Sequence, residues 1–282
     1  MRARCPASTA NLGPGFDVLA IALELYVDVS VEPANALELT SSGEGSDIAS
    51  GGDHLAARVA RSVLGHDRVS IAIRSEIPVG RGLGSSAALA VATAAACGSP
   101  DPIEVAAKFD GHAENAAASV KGGLVAACVV DGRVYAESLP LDPALVYAAL
   151  IPDRALQTET ARAVLPEQVP FADAVANLGR MGLLIAGLGD GRRLHEVAGD
   201  DHLHQAARES LFAEAGKLLR AMREAGASVT CWSGAGPSLL AICPDEKTAQ
   251  RVSASGFEAM RAVGLSGRTL VVRADTRGLV TT

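Results

Sequence analysis

Three glycines alternate in the segment Pro78-Val79-Gly80-Arg81-Gly82-Leu83-Gly84-Ser85-Ser86-Ala87-Ala88, directly before a run of small residues with helical character. Glycine lets the chain turn through left-handed conformations and lets another main chain come close. The helix that follows, expected over 85–97, presents unpaired N–H groups and the positive end of its dipole to the loop. Together these features form a cradle for an anion such as phosphate. Ser85 and Ser86 add hydroxyls suited to a helix cap, a phosphate oxygen or a metal ion, although an ordinary glycine-rich turn with a serine cap has the same composition. The loop is not a Walker A motif, because no lysine follows Gly84. Nor does it fit the G-x-G-x-x-G dinucleotide pattern.

Two further glycine loops stand far from it in the chain. Asn11-Leu12-Gly13-Pro14-Gly15-Phe16-Asp17 follows a short strand, and its Asn11 and Asp17 bracket a tight turn. Such side chains either face a ligand amine or cap the turn itself. Ser233-Gly234-Ala235-Gly236-Pro237-Ser238 lies between two apolar strands. It reads as a hairpin loop or as a loop that packs against another loop or a phosphate.

The patterning around the loops mixes strands and helices without regular βα alternation, which favours an α+β fold over a doubly wound sheet. Strands are expected at 25–31, 36–40 and 69–74, and a hairpin over 122–138 turns at Asp131-Gly132. Helical patterns cover 54–64 and 103–109. Beyond a break near Pro140–Pro143, a strand at 146–151 is followed by helical patterns at 158–165, 171–188, 194–198 and 211–225. Strands at 227–232 and 238–243, a helix over 246–263 and a strand over 269–274 complete the chain.

Composition removes several classes of function. With a net charge of -7, one Trp and three Tyr, the chain lacks both the basic field and the stacking platforms of a nucleic-acid binder. Aromatic residues are only 3%, so the core must be built from Ala, Val and Leu. The five cysteines are an odd number without a C-x-x-C pair, as expected for a reduced cytoplasmic protein with no zinc site. No signal-peptide pattern is evident, and no apolar run is expected to approach the roughly 18 residues of a membrane span. A membrane partner is therefore not expected.

Taken in order, the three loops resemble the three motifs of the GHMP kinase superfamily, and within it the homoserine kinase family. The likeness runs from Cys5-Pro6-Ala7-Ser8-Thr9-Ala10-Asn11 to Gly236-Pro237-Ser238, nearly the whole chain. It includes Gly111-His112-Ala113-Glu114-Asn115, Thr158-Glu159-Thr160-Ala161-Arg162 and the stretch from Asp201 to Arg208. The resemblance implies an α+β fold of two parts, a ribosomal-S5-type ATP-binding domain over 1–143 and a ferredoxin-like domain over 144–282. It implies ATP in the loop Pro78–Ala88, with His54 near the adenine, and Mg²⁺ on Ser86 and Asp110. It places the substrate L-homoserine on Asn11, Asp17, His112, Glu114, Asn115, Arg162 and Arg208, with Thr158 and Arg162 in the catalytic step. A homodimer is implied too.

The implied chemistry is self-consistent. Two arginines suit a carboxylate, and Asp17, Asn11 and Glu114 suit an ammonium group. The family's Glu-Gly-His-Pro-Asp-Asn reads Asp110-Gly111-His112-Ala113-Glu114-Asn115 here, so the two acids exchange lengths. No strong general base is evident. A GHMP kinase for another small hydroxy compound and an inactive ligand sensor on the same fold remain alternatives. The retained Ser86 and Asp110 speak against the sensor.

Overall fold

The structure, a computed structural model, describes residues 1–282. In the first half the chain runs β1 (Arg2–Asn11), β2 (Gly15–Pro33), β3 (Glu38–Gly43), α1 (Leu55–Leu64), β4 (Val69–Ser75), α2 (Ser85–Ala96), α3 (Pro102–Asp110), α4 (Ala113–Lys121), β5 (Leu124–Val130) and β6 (Arg133–Leu139). The long strand β2 organises this part. It pairs antiparallel with β1 along one edge. On the other edge its early residues pair with β5 and its late ones with β4. The divergence leaves a gap in the sheet, and α2, α3 and α4 fill the space behind it.

Helix α2 has the sequence SSAALAVATAAA, and nearly every residue beyond its first turn is buried. A helix with methyl groups on every face can be approached closely from all sides, so it serves as a central post. α4 packs in the same way. Ala113, Ala117 and Ala118 meet Ala10, Ala20 and Ala22 of the sheet. The sequence reading did not anticipate α4 as a helix. It begins beyond Gly111, which closes α3 in the left-handed conformation, and ends at Gly122.

The second half runs β7 (Val146–Pro152), α5 (Thr158–Ala163), α6 (Phe171–Gly189), α7 (Gln205–Arg208), α8 (Ala215–Glu224), β8 (Val229–Trp232), β9 (Leu239–Cys243), α9 (Glu246–Ala262) and β10 (Gly267–Val272). Its sheet has the order β10-β7-β9-β8, all antiparallel. With α8 and α9 on one face, this is the ferredoxin-like arrangement. The period of two is plain in β7. Tyr147, Ala149 and Ile151 join the main core, whereas Val146, Ala148 and Leu150 join the core beneath α8 and α9.

Three expectations need correction. Residues 194–198 are not an α-helix but lie among two 3₁₀ turns, Gly191–Arg193 and Glu196–Gly199, because Asp190 caps the first turn through Arg192 N and the chain then bends. The helix expected over 211–225 begins only at Ala215, since Phe212 turns inward to pack edge-on against Trp232. An apolar stretch of membrane-spanning length does exist: α6 has 19 residues and the apolar composition of a span. The helical pattern covers 171–188, but Asp173 and Arg180 interrupt it, so it does not stand out as an unbroken apolar run.

The chain then returns to the first sheet. β11 (Val280–Thr281) pairs antiparallel with β1, with Ala3 opposite Thr281, so the last strand of the segment 144–282 lies in the sheet of the first half. Asp275 anchors this return. It is 4% exposed and accepts hydrogen bonds from Tyr26 Oη, Arg277 N and Gly278 N at 2.9, 2.9 and 2.6 Å. Asp275→Ala leaves these donors without their charged acceptor and is expected to cost about 1–3 kcal/mol. The check is a lower urea midpoint at unchanged m-value, with Asp275→Asn falling between variant and wild type.

Candidate active site

The three glycine loops meet at one place. β1 ends in the turn Asn11–Gly15, where Asn11 and Leu12 have positive φ, as does Asp17 just beyond it in β2. Such conformations are strained for residues with side chains and are sustained only where surrounding contacts impose them. Here Asn11 Nδ2 donates to Gly234 O at 2.8 Å, and Asp17 N donates to Asn11 Oδ1 at 3.0 Å. The Asn11 amide thus joins the first loop to the third. Ser233 Oγ donates to Gly82 O at 2.7 Å and lies 2.9 Å from Thr9 Oγ1, which joins the third loop to the second.

Two glycines make this convergence sterically feasible. A Cβ on Gly82 would collide with Ser233 O, and one on Gly84 with Ser8 Oγ. Both have positive φ, and Gly84 forms the N-cap of α2. Ser8 Oγ is in turn committed to Asn115 Oδ1 at 2.8 Å.

A cleft of about 320 Å³ opens between the loops. Pro78, Val79, Gly80, Arg81, Gly82, Leu83, Gly84, Ser85 and Ser86 line it, along with His54, Asn11, Asp17, Asp110, His112, Glu114, Asn115, Thr158 and Arg208. Ala87 and Ala88 do not, being wholly buried in α2. Arg162 stands at the rim, where Nη2 donates to both oxygens of Asp17 at 2.8 and 2.9 Å. Thr158 opens α5 with its side chain exposed. His54 caps α1: its Nδ1 accepts from Ala56 N at 3.2 Å, and burial lowers its pKa, so the ring is neutral and its proton is on Nε2.

One wall is acidic. Burial raises the Asp110 carboxyl above its ordinary pKa, against the opposing effects of the charge of His112 and a hydrogen bond from Ser86. Burial alone would lower His112, but contact with Glu114 and the charges of Glu114 and Asp110 outweigh it, so its pKa is raised. His112 Nδ1 lies 3.4 Å from Glu114 Oε1. Asn115 Nδ2 donates to the same oxygen at 3.1 Å.

Cations lie in the same cleft, with Arg162 Nη2 3.4 Å from His112 Nδ1. Arg208 is 2% exposed, yet no carboxylate bonds to it. Nε donates to Ala161 O at 3.3 Å and Nη1 to Gly234 O at 3.0 Å, with Nη1 also 2.9 Å from His204 Nδ1. Burial pushes its pKa down to about 10, a shift that Asp17 moderates and Arg162 reinforces. Arg162 and Arg208 both lie over the Phe16 ring, at 5.7 and 5.4 Å.

His204 belongs to the site, although the sequence alone assigns it no role. Its Nε2 lies 2.9 Å from Gly13 O, and its ring stacks on Phe16 at 5.0 Å. Donation from Nε2 to Gly13 and acceptance at Nδ1 from Arg208 fit a single neutral tautomer. Burial lowers its pKa, which keeps it in that form. Asp201 holds the segment by accepting from the backbone N–H groups of Leu203 and His204. The sequence signal was the i, i+4 spacing of His204 and Arg208.

Fold and site together define a small-molecule kinase of the GHMP type. The GHMP kinases N terminal domain model matches residues 52–132, and the GHMP kinases C terminal model matches residues 180–262. The homoserine kinase of Caldanaerobacter subterraneus subsp. tengcongensis is 37% identical over 97% of this chain and 92% of its own. That of Moorella thermoacetica is 38% identical over 85% of this chain and 86% of its own. The crystal structure of homoserine kinase from Cytophaga hutchinsonii superposes with a TM-score of 0.87 at 26% identity, covering 99% of this chain and 96% of that one. The chain belongs to the homoserine kinase family.

The buried state of His204 has a pH signature. Unfolded, the ring takes up a proton near its ordinary value of about 6.5, whereas the folded ring resists protonation. The unfolded state thus binds more protons below that pH. This contribution to stability rises as pH increases towards about 6.5 and then levels off. His204→Phe keeps the stack on Phe16 but removes both polar contacts. The variant is expected to lose about 1–3 kcal/mol at pH 8 and to show a shallower fall in stability from pH 7 to 5, read from urea midpoints across that range.

Proposed function

We infer that the protein transfers the γ-phosphoryl group of ATP to the side-chain hydroxyl of L-homoserine, forming O-phospho-L-homoserine, a step in threonine biosynthesis. The observation that carries this reading is Arg208. A guanidinium buried without a carboxylate partner, with Nη2 uncommitted beside a cleft, calls for an anion. The α-carboxylate of an amino acid meets that need in bidentate geometry, which favours homoserine over a neutral hydroxy compound.

Asp17 and Glu114 lie within 4.8 Å of one another in the cleft and suit the substrate ammonium. Asn11 serves chiefly to hold the Asp17 turn. Thr158 and Arg162, at the rim, are assigned to placing the hydroxyl and the γ-phosphate. Against burial, contact with Glu114 and the charge of Asp110 raise the His112 pKa, which favours its protonated, hydrogen-bond-donating form. The hydroxyl proton then passes to a γ-phosphate oxygen. What these residues supply is alignment and charge stabilisation, which is the main requirement of phosphoryl transfer.

Loop amides from Gly80 to Ser86 and the N-terminus of α2 are assigned to the ATP phosphates, with His54 Nε2–H offered to an acceptor on the purine edge. The donors beside the phosphates are the Ser86 hydroxyl and the Asp110 carboxylate. These are hard oxygen ligands that fit Mg²⁺, and a cation would offset the burial of Asp110. Bound there, Mg²⁺ would neutralise phosphate charge. The five cysteines form no disulfide, which suits a reducing compartment such as the cytoplasm.

Two experiments test the assignment. Arg208→Ala should raise the homoserine KM by roughly tenfold to a hundredfold, as expected for loss of a charge-assisted contact of about 1.5–3 kcal/mol. The ATP KM should change little. Arg162→Ala, which loses a guanidinium already paired with Asp17, should have a smaller effect. Steady-state kinetics with homoserine, threonine, serine and mevalonate decide the substrate class, and a preference for mevalonate would remove the assignment. Separately, Asp110→Ala should lower kcat at least about tenfold and raise the Mg²⁺ requirement, measured as kcat against free Mg²⁺. Unchanged kcat and Mg²⁺ dependence would place the ion elsewhere.

A further inference from the structure

Arg162 holds Asp17 through a single nitrogen. Its Nη2 donates to Asp17 Oδ1 and Oδ2 at 2.8 and 2.9 Å and lies 3.4 Å from His112 Nδ1, while Nε and Nη1 make no hydrogen bond. A guanidinium ordinarily offers a carboxylate two parallel N–H donors. Arg4 does so on Asp28 and Arg192 on Asp190, each through Nε and Nη2. One nitrogen between two carboxylate oxygens, beside an imidazole, is instead the setting of a primary ammonium. Asp17, His112 and Glu114 bring their ligand atoms within 4.8 Å of one another. A group that small surrounds one cationic nitrogen at a time, so Nη2 stands where the substrate ammonium would bind.

The two arginines of the cleft differ in freedom. Arg208 is buried, and its guanidinium is fixed by Ala161 O and Gly234 O. The Arg162 and Asp17 side chains are 40 and 36% exposed. An ion pair so exposed contributes little stability, and the freed guanidinium passes into water. Nor does the Asp17 turn need Arg162 as a strut, because Asn11 already ties it to Gly234 and accepts from Asp17 N.

We propose that Asp17 and Arg162 form a latch that makes turnover depend on the ammonium group of the acceptor. The latch rests on the homoserine kinase reading. At rest, Arg162 fills the ammonium place. An acceptor that carries an ammonium takes over Asp17 and releases the guanidinium to the γ-phosphate. An acceptor with only a hydroxyl and a carboxylate binds through Arg208 and leaves Arg162 on Asp17, away from the phosphate. The contact withheld is one made in the transition state, so discrimination appears in kcat and not in KM alone. Water brings no cation either, which restrains hydrolysis of ATP in the absence of the amino acid.

The test compares homoserine with 4-hydroxybutyrate, which keeps the chain, carboxylate and terminal hydroxyl but lacks the amine. Phosphorylation of either forms a P–O bond at the hydroxyl oxygen and releases ADP. Asp17→Asn removes the charge that holds Arg162, and Asn tolerates the positive φ of residue 17. The variant should lower kcat/KM for homoserine. It should raise kcat for 4-hydroxybutyrate, or ADP release without any acceptor, by at least about threefold, the scale of an exposed ion pair. Loss of an ammonium contact alone would leave both rates unchanged, and structural damage would lower them. Asp17→Asn/Arg162→Ala should show no gain. In the wild type, added methylammonium should raise 4-hydroxybutyrate turnover saturably, because it supplies the missing cation. No gain in any of these assays, or a gain that persists in the double variant, overturns the latch while homoserine turnover by the wild type leaves the kinase reading intact. A wild type that does not phosphorylate homoserine overturns both.

Discussion

Two contacts too close for any side chain hold the candidate active site together: Gly84 against Ser8 and Gly82 against Ser233. Through the first, the phosphate-cradle loop lies directly on β1. Through the second, it lies on the third loop, which the β8–β9 hairpin delivers from the other sheet. The cleft exists because three stretches of main chain touch with no side chain between them. Hydrogen bonds from Ser8, Thr9, Asn11 and Ser233 then fix the register of those stretches. Small hydroxyl and amide groups serve here because longer ones would push the loops apart.

The same compactness brings charges of both signs into the cleft. Asp110 and Glu114 gather around His112, Arg162 pairs with Asp17 and lies 3.4 Å from His112, and Arg208 lines the same cleft without a carboxylate contact. His204 gives the Arg208 guanidinium a neutral acceptor, fixing its orientation without a carboxylate contact. Replacing that acceptor by a carboxylate would satisfy Arg208 internally.

Much of this was legible in the residues. The loops declared themselves through glycine spacing, and the mixture of periods two and 3.6 gave the α+β class. Asn11, Asp17, His112, Glu114, Thr158 and Arg208 share one cleft, as their motifs suggested. What escaped was tertiary in origin. The alanines of α4 carry no polar face from which to read an amphipathic period, so the helix was hidden inside a motif. The 3₁₀ turns around 191–199 arise from a cap and a bend, not from hydrophobic spacing. The polar roles of His204 depend on Gly13, nearly two hundred residues away, and no local pattern encodes that contact. Asn11 is expected at the substrate from its turn and motif; in the structure it lines the cleft, and its amide also joins Gly234 and Asp17.

The return of β11 to β1 has a consequence for biosynthesis. β1 and β2 leave the ribosome well before the second half, yet Ala3 and Arg4 on the outer edge of β1 acquire their partners only when Val280 and Thr281 have emerged. Until then, that short stretch of edge presents unpaired N–H and C=O groups, the kind that recruits foreign strands. The ferredoxin-like half, closed by β10 at residue 272, can complete its own sheet first.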